Sequence, residues 1–143
     1  MIYVLFLHIL GASVWTGGHL IICLRYLPRV LRSRDAAPLL AFEERFEPLG
    51  LGALLVQIIT GWWLARIYVS DASLLLEPSH VPAMHVSAKI ALVLITLGLA
   101  AHARLRLIPR LTPERLPLLA AHIIAVTVVA VLLVLTGVSF RAG

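Results

Sequence analysis

Apolar residues gather in four long runs along this chain, at residues 2–24, 49–69, 84–107 and 116–140, with short polar breaks between them. A bilayer core takes roughly 20 residues at 1.5 Å each, and every run is long enough to cross it. Helix is the form expected of each, because backbone groups in lipid must find their partners within their own segment. The first run lacks a basic leader and exceeds the usual signal-peptide core, so it reads as a span that is kept. The pattern therefore predicts an all-α protein, an integral membrane four-helix bundle forming a single domain over residues 1–143. Short connections favour up-down-up-down order. No internal repeat stands out.

Composition agrees with this. Of the 143 residues 61% are hydrophobic and 13% charged, too few charges to cover a water-soluble surface. A single cysteine, Cys23, excludes an intrachain disulfide framework and any cysteine-based metal cluster. The net charge of +5 is carried mainly by arginines in the breaks, which excludes nucleic acid as the natural partner and points to lipid headgroups. The first connection carries Arg25, Arg29, Arg32, Arg34 and Arg45, and the third Arg104, Arg106, Arg110 and Arg115. The second holds Asp71 and Glu77 but no arginine or lysine. By the positive-inside rule the first and third connections are cytoplasmic and both termini non-cytoplasmic, in a bacterial-type inner membrane. Within the first connection, the break at 34–38 and the stretch 41–46 read as an amphipathic lead lying at the membrane interface. Residues 109–117, bounded by prolines, read as a stiff turn.

Chemistry is concentrated in the histidines. His8, His19, His85, His102 and His122 fall within the spans, and His80 lies just before the third. Ionisable residues inside a membrane are costly and face the bundle interior, so five of them form a functional hypothesis. His8 and His19 are about 16 Å apart along one helix and on one side of it, because eleven residues make close to three turns. Gly11, Gly17 and Gly18 lie beside them, leaving room for a flat cofactor or for close helix contact. Aligning the spans places His19, His102 and His122 at one depth, near the cytoplasmic side. His8 and His85 lie higher and form a looser outer group.

Two metal chemistries suit such sites. One or two haem b groups can be held by axial imidazoles from facing helices. Arg25, Arg104 and Arg106 would then serve inner propionates, and Arg66 and Lys89 outer ones. Electron transfer to or from quinone, or to a redox partner protein, would follow. The competing chemistry is copper, with His80, Met84 and His85 as an outer entrance and the inner histidines as an internal site. Copper transport favours soft sulfur ligands, of which the chain offers Met1, Met84 and Cys23, and this scarcity favours haem. Lys89, the only lysine, is either an interfacial snorkelling residue or a counter-charge to a ligand. Gln57 reads as a helix–helix hydrogen bond, and so do Ser87, Thr60 and Thr96. No catalytic set is assigned. A homo-oligomer and a subunit of a larger complex are both compatible with so little chain outside the spans.

Several stretches carry a family resemblance. The third span from Lys89-Ile90-Ala91-Leu92 to Ala103-Arg104 and Pro109 resembles the copper-resistance CopD domain. So do Arg45-Phe46 leading to Thr60-Gly61-Trp62-Trp63, and His8 through Trp15-Thr16-Gly17-Gly18 is similar to the helix before it. A histidine in the first helix with a lysine in the third also resembles the HemJ-type protoporphyrinogen oxidases, which are four-helix membrane proteins that bind haem b. That resemblance implies His8 as a haem ligand and Lys89 as a functional residue. The additional His19, His102 and His122 depart from both patterns.

Overall fold

The computed structural model describes residues 1–69, 71–77 and 79–142, with residues 141 and 142 described through their backbone alone. Four helices, α1 (Ile2–Ser33), α2 (Ala37–Tyr68), α3 (Val81–Arg110) and α4 (Leu116–Ala142), carry nearly all of it. Each contains a stretch long and apolar enough to cross a membrane. No strand occurs among the described residues.

The helices overrun the apolar runs at the arginine-rich end, and this corrects the expected first connection. α1 continues through Arg25, Arg29 and Arg32 to Ser33, and α2 begins at Ala37. Only residues 34–36 connect them. Arg34 adopts a left-handed conformation (φ 57°) and donates its N–H to the Val30 carbonyl, which closes α1. The Asp35 carboxylate then accepts the Ala37 N–H at 2.9 Å and starts α2. The stretch 41–46 is therefore the first part of a spanning helix, continuous with it through Pro48, and not a separate interfacial segment.

Two prolines leave matching marks. A proline ring inside a helix collides with the carbonyl four residues earlier. Upstream of Pro28 the helix widens into a π-turn over Ile22–Tyr26, and upstream of Pro109 it does so over Ala103–Leu107. A 3₁₀ turn, Ile108–Arg110, ends α3. At the opposite end of the bundle a 3₁₀ turn, Ala72–Leu76, is started by Asp71 and tied to α3 by Ser87, which donates to the Leu75 carbonyl at 2.8 Å. The His80 imidazole accepts the Ala83 N–H at 3.2 Å and caps α3.

Packing partners run in opposite directions. α1 lies on α2 through His8 against Thr60 and Gly61, Gly11 against Ala53 and Gln57, and Gly18 against Phe46. A methyl on Gly11 would come within 3.0 Å of the Ala53 carbonyl oxygen, so the two backbones approach as closely as small residues allow. The other side of α1 meets α4, where Thr127 donates to the His19 carbonyl at 3.3 Å and Trp15 packs with Leu54, Val126 and Ala130. α3 lies on α4. α2 and α3 scarcely touch, and are joined by the Arg104–Glu47 ion pair at 2.7 Å. At the arginine end Ile22, Val30, Leu39, Leu107, Leu116 and Leu119 form a closed apolar core that draws on all four helices. Elsewhere the exterior is a continuous apolar surface, with Leu55, Ile59, Trp62, Leu94 and Leu135 all exposed, which suits contact with lipid.

Candidate functional site

Of the five intramembrane histidines, two meet. His102, on the last turn of α3 before its π-turn, and His122, on the second turn of α4, bring Nδ1 and Nε2 to 2.8 Å. Their ring centres are 4.8 Å apart and their planes inclined by 21°, so the rings meet edge to edge. The remaining His122 nitrogen, Nδ1, donates to the Leu118 carbonyl at 3.0 Å. That bond fixes its tautomer, so Nε2 accepts and His102 Nδ1 donates. His102 also lines a groove with Arg106, Leu107, Arg110, Arg115 and Leu118.

His19 does not join them. Its Nδ1 donates to the Trp15 carbonyl at 2.9 Å, and its ring lies 4.4 Å from Trp15 and edge-on to Phe46. Rotation about α1 turns this imidazole towards α2, and the His19 carbonyl accepts from Thr127, more than a turn along α4 from His122. No group of three or more histidine, cysteine or acidic side chains is placed to hold a metal among the described residues.

The outer histidines are separated too. His8 lies 2.8 Å from the Thr60 hydroxyl, which itself donates to the Val56 carbonyl at 2.5 Å, so His8 is the donor between them. Gln57 donates to the His8 carbonyl, the helix–helix bond expected of it. His85 donates to the Val81 carbonyl at 2.9 Å and packs edge-on against Phe140. Lys89 lies against Gly137 of α4, where the missing side chain leaves space for its ammonium group. Of the outer entrance trio, His80 spends one nitrogen on its cap, whereas Met84 is half exposed.

The arginines divide by role. Arg104 is committed to Glu47, a residue the sequence did not single out, because no short-range pattern links positions 47 and 104. Arg106 lines the groove beside His102, Arg25 lines a second groove, and Arg66 is exposed on the last turn of α2.

These placements do not make the bis-histidine haem site expected from the sequence. Two axial imidazoles must face each other across a slot that admits the macrocycle. His102 and His122 are hydrogen-bonded directly to one another, with no slot between them, and the spaces beside several glycines are filled: Gly18 and Gly50 by Phe46, Gly11 by Gln57, Gly61 by His8. Gly11 and Gly18 serve close helix contact, whereas Gly17 faces open space.

Comparison with known families bears on the same question. Residues 40–140 match the family model CopD, copper resistance protein D. The chain belongs to the CopD family. The match covers α2, α3 and α4 almost entirely, so the His102–His122 pair lies within the CopD region, whereas His8 and His19 precede it. No curated protein and no solved structure matches the chain. Family and spans together make this a CopD membrane protein, linked to copper resistance.

Proposed function

We propose that the protein handles copper in an inner membrane, with the His102–His122 pair as the site that holds the ion. Both termini and the 3₁₀ turn at 72–76 face the non-cytoplasmic side, following the arginine distribution. Copper enters past Met84 and His85, with His80 at the rim. The observation that carries this reading is the direct contact of two imidazoles from different helices, towards the arginine-rich end of a chain of the copper-resistance family.

Imidazole nitrogen is a good copper ligand. Two nitrogens each roughly 2 Å from a metal stand about 4 Å apart, by analogy with other imidazole–metal distances. The observed 2.8 Å must therefore open by about an ångström, and the Nδ1 proton of His102 must leave as the ion enters. Three guanidinium groups in the adjoining groove oppose a cation there, which suits a site that passes copper on over one that stores it.

The test is a titration of the detergent-purified protein with Cu(I) against a chromophoric chelator, with metal analysis alongside. One ion per chain is expected to bind, and to be lost in His102→Ala and in His122→Ala but kept in His19→Ala. Unchanged binding in both of the first two variants would overturn the assignment. A coloured preparation holding iron and a Soret band, without copper, would overturn the copper reading itself.

A further inference from the structure

The two π-turns mark a repeat that hydropathy conceals. Each ends two residues before a proline, and the residues around them agree: Leu24-Arg25-Tyr26-Leu27-Pro28-Arg29-Val30 in α1 and Leu105-Arg106-Leu107-Ile108-Pro109-Arg110-Leu111 in α3. The next helix opens alike in both halves, with Pro38-Leu39-Leu40-Ala41 in α2 and Pro117-Leu118-Leu119-Ala120 in α4. The α1–α2 hairpin thus corresponds to the α3–α4 hairpin, each packed along its length. Equivalent residues also share one cluster. Tyr26 and Leu107, Val30 and Leu111, and Leu40 and Leu119 are all buried in or packed against the apolar core at the arginine end, as they would be around an approximate two-fold axis.

Each copy of the turn carries a basic groove on its outer side. The first, about 540 Å³, is lined by Leu24, Arg25, Pro28, Arg29, Arg32 and Ser33. The second, about 240 Å³, is lined by Arg106 and Arg110 at the positions equivalent to Arg25 and Arg29, together with Arg115 and His102. Neither is lined by a carboxylate. Two guanidinium forks of one helix face a common space in each, one turn apart, with a third arginine closing it. Such forks match a phosphate oxygen pair. Leu24 lines the first groove and is 72% exposed, its equivalent Leu105, next to Arg106 in the chain, is 72% exposed too, and Leu118 lines the second groove, apolar surface that an acyl chain covers.

We propose that this internal duplication gives the chain two equivalent sites, one at each L-R-x-x-P-R turn, for the phosphate headgroup of an anionic phospholipid of the cytoplasmic leaflet. Free phosphate would satisfy the arginines but leave the leucines bare. Basic pockets at the cytoplasmic ends of membrane helices are suited to such headgroups. The first site lies apart from the His102–His122 pair, whereas the second shares His102 with it, so lipid is counted on copper-free protein.

Native mass spectrometry of the full chain in detergent, with phosphatidylglycerol added, is expected to show two tightly retained lipids. Arg25→Gln/Arg29→Gln and Arg106→Gln/Arg110→Gln should each retain one, and the four-fold variant none, with an apparent affinity at least about tenfold weaker at the altered site. Arg45→Gln, a change outside both grooves, should retain two. Far-UV circular dichroism checks folding. If a glutamine pair unfolds, Arg25→Lys/Arg29→Lys takes its place, and keeping the charge without the fork should still weaken its site. Two retained lipids in either double glutamine variant would overturn the proposal, as would equal retention of phosphatidylcholine. Displacement of the lipid by millimolar inorganic phosphate would overturn it in favour of a free anion.

Discussion

Gly17 and Gly18 are neighbours on α1, yet alanine should act on them in opposite directions. A methyl at Gly17 meets nothing within 4 Å. There the substitution gains only the helical preference of alanine over glycine, roughly 0.5–1 kcal/mol. A methyl at Gly18 would fall within the Phe46 ring, and that ring is itself held against Gly50, where an added methyl would lie 2.9 Å from it. The ring cannot simply swing aside, and α1 and α2 must part. Overpacking of this kind costs roughly 1–3 kcal/mol. Set against the helical gain, the net loss is about 1–2 kcal/mol, a severalfold to roughly thirtyfold fall in the folded ratio. Unfolding by sodium dodecyl sulfate in mixed micelles, followed by far-UV circular dichroism, reads both variants. Gly17→Ala should move the midpoint up and Gly18→Ala down. In a Phe46→Ala background the clash disappears, so Gly18→Ala should turn neutral or stabilising, with a coupling of about 1–3 kcal/mol. Equal effects of the two alanines, or a loss at Gly18 that persists without the Phe46 ring, would refute this account of the α1–α2 contact.

Three further outcomes follow from named contacts. Thr60→Val keeps the shape but leaves His8 Nδ1 without its acceptor; a loss of about 1–3 kcal/mol is expected in the same unfolding assay, with copper stoichiometry unchanged. The Arg104–Glu47 pair is half exposed on the arginine side, so a double-mutant cycle of Glu47→Gln and Arg104→Gln should give a coupling of only about 0.2–1 kcal/mol, smaller at high salt. Asp71, outside the spans, accepts the Ser73 N–H at 2.9 Å, which holds its carboxyl below the usual range. Because the folded value is depressed, this turn is intact above the ordinary carboxylate pKa of about 4 and loosens only as pH falls through the lower folded value. A carboxyl NMR titration showing a midpoint at or above the ordinary value would contradict it.

The sequence by itself determined that this chain is four membrane-crossing helices with most of its arginines at one end. Hydropathy and loop charge are properties of composition along a line, and lipid permits few alternatives. Helix rise also led to the expectation of one depth for the inner histidines, but His19 meets α4 at Thr127, more than a turn from His122. Rotation about each helix axis was left to packing. Gly11 and Gly18 let α2 approach α1 on the face that carries His19, which sends that imidazole to Phe46, whereas α3 on α4 turns His102 onto His122. The same limit hid the Arg104–Glu47 pair, which joins residues far apart in sequence. Only the tertiary structure showed the repeat, since two π-turns in the same register before Pro28 and Pro109 align stretches whose apolar residues are otherwise interchangeable. A bilayer selects for apolarity and length, and so leaves few residue identities by which a line of sequence can reveal its own duplication.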